Sequence, residues 1–294
     1  MDEKVMQLMQ RVRHIELKTR SLSNNLFAGE YHSAFKGRGM SFAEVREYQP
    51  GDDVRDIDWN VSARFDRTYV KTYEEERELT VVLLVDVSPS LNTGTQGQSQ
   101  RELMTESAAT LAFSAIRNND KIGVLFFSDI IEQYIPPAKG KSHVLRIVRE
   151  LLTLIPKGKG SDLNAAIEYF MRATRQRSVT FVLSDFEWIP DFQQQLLMAR
   201  RRHELQAIQV YDRQMAELPN VGLLQLEDAE TGLSQVVDTA SSKVRKAYAQ
   251  QWETKCTQLD STFDRCRIDH VRIATGSDFV KGLKALFARK QRVR

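Results

Sequence analysis

Five consecutive apolar residues, Val81-Val82-Leu83-Leu84-Val85, run without a polar interruption and stop at a carboxylate, Asp86. A short, β-branched run of this kind reads as a strand buried on both faces, which is the central position in a parallel sheet. Both faces of such a strand need helical cover, so the chain is expected to be α/β with an open sheet. Asp86, Ser88 and Ser90 follow at alternate positions. A turn leaving the carboxyl end of the strand can therefore aim one carboxylate and two hydroxyls at one point. All three are hard oxygen ligands, suited to Mg²⁺ or Mn²⁺. The carboxyl-end crevice is also where open α/β sheets place their ligands.

Two later stretches add to this pattern. Gly158-Lys159-Gly160 leads into Ser161-Asp162-Leu163-Asn164, a glycine loop that brings a hydroxyl residue to a helix start. Val179-Thr180-Phe181-Val182-Leu183-Ser184-Asp185-Phe186 repeats the apolar strand that ends in an acid. Together they resemble the metal-ion-dependent adhesion site of von Willebrand factor A domains, which is spread over three loops. The resemblance assigns Asp86, Ser88 and Ser90 to the first loop, Ser161 to the place of the second-loop threonine, and Asp185 to the last acid. Serine at 161 departs from that pattern while keeping the hydroxyl. Phe186 stands where a glycine is common.

A longer phrase narrows the resemblance. Residues 37–59 read Gly-Arg-Gly-Met-Ser-Phe-Ala-Glu-Val-Arg-Glu-Tyr-Gln-Pro-Gly-Asp-Asp-Val-Arg-Asp-Ile-Asp-Trp, followed by Ser62-Ala63-Arg64 and Tyr73-Glu74-Glu75-Glu76-Arg77. With His203, Tyr211-Asp212, Leu218-Pro219, Leu226-Glu227-Asp228 and Gly232, this is similar to the bacterial family catalogued as domain of unknown function fifty-eight. Its members are also called MoxR-associated von Willebrand factor A-like proteins. The resemblance implies a von Willebrand factor A-like sheet with helices on both faces. It also implies a MoxR-type AAA+ ATPase as partner, other von Willebrand factor A proteins as further partners, and a role in protein maturation, cofactor insertion or stress handling. Many relatives carry transmembrane helices ahead of the common region; this sequence shows no such run.

The expected organisation is an N-terminal helical arm with an Arg/Asp-rich region over 1–77, a von Willebrand factor A-like domain over 78–240, and a helix-strand-helix extension over 241–294 packed on the same body. In the arm, Val5, Leu8, Met9, Val12, Ile15, Leu22 and Leu26 lie near helical spacing. Its mixed charge favours packing on the protein over lying on a membrane, although the sequence is compatible with both. Asp56, Asp58, Asn60 and Ser62 begin like a calcium loop, but Val61 replaces the glycine and Arg67 the bidentate acid, so that reading is rejected. The dense acids and arginines around Tyr48 and Trp59 are instead expected to form a charge network pinning loops over the two aromatics. From Tyr69 to Val85 the residues favour extended chain, expected to feed directly into the sheet.

Composition excludes other classes. The 294 residues are 28% charged and 41% hydrophobic with a formal net charge of +3, as in an ordinary soluble protein. The start is unlike a signal peptide, which gives the cytoplasm as the expected location. Cys256 and Cys266 are the only cysteines and lack metal or redox spacing. Arg200, Arg201 and Arg202, and the tail residues Arg289, Lys290, Arg292 and Arg294, come without aromatic interleaving, so nucleic-acid binding is not expected. The histidines, His14, His32, His143, His203 and His270, form no catalytic motif, and neither a phosphate-cradling P-loop nor a nucleophile elbow is present. The leading expectation is a non-enzymatic, metal-dependent protein-binding adaptor. The alternative is a metal-assisted phosphohydrolase using the same acids.

Overall fold

The computed structural model of the chain describes Glu16 and residues 40–65, 67–75, 78–92, 94, 97–187, 191–227 and 234–292. The chain divides into two units, Phe35–Glu78 and a larger one comprising Met1–Ala34 with Leu79–Arg294. Most of the expected N-terminal arm lies outside the described residues. Glu16 is helical and pairs with Lys141 at 2.6 Å.

The smaller unit is a two-stranded antiparallel sheet of β1 (Met40–Glu47) and β2 (Tyr69–Glu75), with a short helix α1 (Trp59–Phe65) between them. The expected charge network forms. Arg46 grips Asp52 through two bonds of 2.8 and 2.7 Å, and Arg67 pairs with Glu47 at 2.6 Å. Asp58 accepts the backbone N–H groups of Asn60 and Val61 at 3.0 and 3.2 Å, a capping role at the start of α1. The aromatics are not covered by it: Trp59 is 69% exposed and Tyr48 37%. β2 pairs with β1 and does not enter the larger sheet, so extended propensity over 69–85 concealed a change of sheet near residue 79.

The larger unit is built on six strands: β3 (Thr80–Asp86), β4 (Lys121–Phe127), β5 (Ile131–Ala138), β6 (Val179–Ser184), β7 (Glu204–Tyr211) and, after the β8 (Leu223–Glu227) and β9 (Ser234–Asp238) hairpin, β10 (Asp269–Ala274). Their spatial order is β10-β7-β6-β3-β4-β5, parallel except for β5. This is the open, mostly parallel sheet expected, with the order reversing at β3. β5 continues through Pro136 and Pro137, because an edge strand tolerates missing N–H groups. Gly123 makes room for it, since a Cβ there would lie 2.8 Å from the Pro137 nitrogen.

Helices α2 (Gln100–Arg117), α3 (Lys141–Thr153), α4 (Leu163–Ala173), α5 (Gln193–Arg200), the short α6 (Arg213–Ala216), α7 (Ser242–Arg265) and α8 (Phe279–Arg292) complete the unit. α2 starts at a capping box, with Ser99 and Glu102 satisfying each other's backbone N–H. It packs on β3, β4 and β7. On the opposite face, Val82, Leu84, Leu125, Val182, Leu205 and Ala207 form one core with Ile167 and Phe170 of α4, Leu196 of α5 and Phe263 of α7. The alternation of β3 thus sends Val82 and Leu84 to one face and Val81, Leu83 and Val85 to the other, all at most 1% exposed. Each such side chain contributes about 1.5–3 kcal/mol by burial. The 241–294 segment supplies β10 to the edge beside β7 and the helices flanking it. Cys256 and Cys266 are free and buried.

His203 sits just after α5, 1% exposed, against Phe170 with ring centroids 4.5 Å apart. Its Nδ1 is 2.9 Å from the Ser178 hydroxyl, while Nε2 has no hydrogen-bond partner among the described residues. Only half of this histidine's polar capacity is therefore met among the described residues. Burial, aided by the charge of Arg202, lowers its pKa to about 4. The unfolded chain takes up this proton near pH 6.5. Stability from His203 is thus complete above that value and is lost as pH falls toward 4. Unfolding free energies from urea titrations should fall by about 1–2 kcal/mol more for wild type than for His203→Gln between pH 6.5 and 5. Equal slopes would exclude this origin.

Candidate metal centre at the carboxyl end of the sheet

β3 and β6 are adjacent and parallel, with Val85 opposite Leu183. Neighbouring strands stand about 4.8 Å apart, so their terminal acids are forced into one neighbourhood. Asp86 is 1% exposed and Asp185 5%. Hydroxyls and backbone N–H groups donate hydrogen bonds to both carboxylates.

Asp86 accepts three of these bonds. The backbone N–H of Ser88 donates to Oδ1 at 2.9 Å, while the hydroxyls of Ser161 and Ser184 both donate to Oδ2 at 2.7 Å. Ser88 and Ser90 hydroxyls lie 3.0 Å apart, and Ser90 donates to Asp185 Oδ2 at 2.9 Å. The five residues singled out from sequence, Asp86, Ser88, Ser90, Ser161 and Asp185, are therefore joined in one hydrogen-bonded chain, buried except at the half-buried Ser161 and linked between Asp86 and Ser88 through the Ser88 backbone N–H. Ser184 belongs to it as well and was missed. Its only signal is a hydroxyl at the last position of a fully buried strand, where it donates to Asp86 and accepts the Phe186 N–H at 3.0 Å.

The second loop is held from below. Glu132 Oε1 accepts the N–H groups of Lys157 and Gly158 at 2.8 and 2.9 Å and the Ser128 hydroxyl at 2.8 Å. Asp129 takes the N–H of Lys159 at 3.1 Å, and Asp162 N–H donates to the Ser128 carbonyl at 2.8 Å. Gly158 is required by close approach: a Cβ there would fall 1.8 Å from Asp129 Oδ1 and 2.1 Å from Ser128 Oγ. Asp162 caps α4 by accepting the Ala165 N–H at 3.0 Å, which leaves Ser161 one residue ahead of the cap and facing Asp86.

Burial and the nearby Asp86 charge push the Asp185 pKa up to about 7, and burial also raises that of Asp86. Two buried acids with no basic partner among the described residues, in an oxygen-lined site, have an unmet need for positive charge. The donor set of two carboxylates and several hydroxyls suits a hard divalent cation such as Mg²⁺ or Mn²⁺. Among the described residues no group of three or more His, Cys, Asp or Glu side chains forms, which leaves a softer, all-side-chain metal site without a location.

Phe186 adopts φ 55°, the left-handed conformation that explains why glycine suits this position. Its ring is 8% exposed and packs edge-on against Phe263 at 5.3 Å and near Phe192 at 6.1 Å. A left-handed non-glycine residue costs about 1–2 kcal/mol. Truncating a buried phenylalanine costs about 3–5 kcal/mol. Packing wins, so Phe186→Gly should be destabilised by about 2 kcal/mol in chemical unfolding. A more stable variant would show that backbone strain dominates. Gly158→Ala should unfold earlier as well, since the clash is with the residues that hold the loop.

Residues 44–258 match the family described as protein of unknown function DUF58. Uncharacterized proteins of Mycobacterium bovis and Mycobacterium tuberculosis are each 30% identical over 285 residues, covering 96% of this chain and 89% of the relative. Among solved structures, the conserved hypothetical protein BatB of Bacteroides thetaiotaomicron aligns with a TM-score of 0.47 at 15% identity, over 73% of this chain and 99% of that one. An aerotolerance-related membrane protein of Bacteroides fragilis aligns with a TM-score of 0.49 at 15% identity, over 74% and 100%. With the family match spanning both units of the fold and the relatives aligned over nearly its whole length, the chain belongs to the DUF58 family.

Proposed function

We propose that this chain is a metal-dependent protein-binding adaptor that works with a MoxR-type AAA+ ATPase in protein maturation or stress handling. The observation that supports it is the pair of buried acids, Asp86 and Asp185, brought together at adjacent strand ends and ringed by serine hydroxyls. A bound Mg²⁺ or Mn²⁺ would supply the positive centre that these acids lack and would leave a coordination position for a carboxylate of the partner. Asp86, Ser88, Ser90 and Ser161 would hold the cation directly, with Asp185 acting directly or through water. Ser184 positions Asp86, since its hydroxyl is already engaged on both sides.

In this reading the chain carries no catalytic step and works in the cytoplasm. No helix among the described residues is long and apolar enough to cross a membrane.

Mg²⁺ or Mn²⁺ at 100 times Kd should stabilise the protein by about 2.7 kcal/mol. For a chain of this size that raises Tm by about 5–10 °C. Asp86→Ala should lose the response and Asp185→Ala should weaken it; equal shifts in wild type and Asp86→Ala would reject the site. Calorimetric titration with the MoxR-type ATPase tests the partner. Loss of a buried charged contact costs about 2–5 kcal/mol, more than tenfold in Kd. Asp86→Ala, Ser88→Ala and chelator on wild type should each produce that loss while circular dichroism stays unchanged. Unaltered affinity in all three would exclude a metal bridge.

A further inference from the structure

The loops that enter β6, β7 and β10 all lie at the amino end of the parallel strands, the end away from Asp86 and Asp185. They touch one another: the Glu204 N–H donates to the Ser178 carbonyl at 2.8 Å, Arg202 to the Met171 carbonyl at 3.2 Å and Arg200 Nε to the Arg267 carbonyl at 3.3 Å. Residues 174–178, 200–204 and 264–269 hold seven arginines and no lysine, against three acids. Two of those acids, Glu204 and Asp269, are half-buried. Arg175, Arg177, Arg201, Arg202, Arg265 and Arg267 are exposed, and none forms an ion pair among the described residues. Helix dipoles account for Arg201 and Arg265, at the ends of α5 and α7, where a cation is favoured. The other four lie beyond the helix caps. Arg267 has φ 53°, a left-handed position after a helix that usually goes to glycine.

Two large apolar side chains adjoin this surface. Leu197 and Met198 of α5 are 39% and 55% exposed, about one helical turn before Arg201 and Arg202. Arginine's planar fork pairs with phosphate oxygens two at a time, so phosphate is the anion the surface suits. The charge is spread over three loops on neighbouring strands, about 10 Å across at ordinary strand spacing, which fits a field of anions better than a single one. Nucleic acid is disfavoured: the three segments contain no Phe, Tyr or Trp on which bases could stack, and Tyr169 of α4 already packs edge-on against Tyr134. Exposed apolar side chains beside unpaired cations are the combination that binds the headgroup region of an anionic membrane, where the cations meet phosphates and the apolar groups enter the acyl boundary. We propose that the amino end of the larger sheet docks on an anionic phospholipid surface through these arginines, with Leu197 and Met198 inserted. Docked in this way, the sheet holds Asp86 and Asp185 at its end facing away from the lipid.

Co-sedimentation of the full-length chain tests this, with vesicles of equal parts phosphatidylglycerol and phosphatidylcholine set against vesicles of phosphatidylcholine alone. Chelator is present throughout, so that no divalent ion bridges protein to lipid. Wild type should bind the anionic vesicles about tenfold or more tightly than the neutral ones, and less tightly as salt rises. Arg201→Gln with Arg202→Gln should weaken that binding by about twentyfold, since each arginine near such a surface contributes about fivefold. Leu197→Ser with Met198→Ser should weaken it by about fivefold through lost insertion. Both pairs are exposed, and unchanged circular dichroism and Tm separate lost binding from misfolding. Equal binding of wild type to neutral and anionic vesicles would overturn the proposal without depending on any variant. Undiminished binding in either folded double variant would overturn it too. Duplex DNA and polyglutamate are the competing probes; tighter binding of wild type to either than to the anionic vesicles would reject the lipid assignment.

Discussion

Two carboxylates held side by side away from water are the constraint to which the rest of the larger unit answers. Parallel pairing of β3 with β6 delivers Asp86 and Asp185 to the same end of the sheet. Among the described residues neither acid has a basic partner to neutralise it, and burial and, for Asp185, repulsion by Asp86 raise both pKa values. Hydroxyls answer part of the need. Ser161, Ser184 and Ser90 direct donors at the acids, yet hydroxyl dipoles cannot cancel two charges.

Holding these donors requires scaffolding well outside the site. The loop bearing Ser161 is gripped by Asp129, in the turn between β4 and β5, and by Glu132, near the start of β5. The antiparallel edge of the sheet therefore has a task beyond closing the fold: its acids sit under a loop that reaches across to the central strand. Glu132 has its pKa lowered even against the cost of desolvation, because two backbone N–H groups and a hydroxyl all favour its charged form. The same arrangement explains why position 158 cannot carry a side chain.

Much of this was legible in the sequence because it depends on local pattern. The apolar run ending at Asp86 marked the central strand, and its repetition at 179–185 marked the neighbour that carries the second acid. What escaped depends on contacts between distant residues. Ser184 reads as an ordinary strand-end residue until Asp86, 98 positions away, is seen to accept its hydrogen bond. The change of sheet between β2 and β3 was hidden because extended propensity does not name a pairing partner. Exposure of Trp59 and Tyr48 could not be read either, since charge density predicts ion pairs without saying what they cover.

The left-handed Phe186 carries a further consequence for recognition. A glycine at that position would leave the loop after β6 free to sample many backbone states, and whatever bound Asp185 would have to freeze them. Here the ring is wedged against Phe263 and Phe192, so the direction of the Asp185 carboxylate is settled when the hydrophobic core forms. The entropy of aiming that acid is thereby charged to folding, and an arriving ligand meets a loop already arrested.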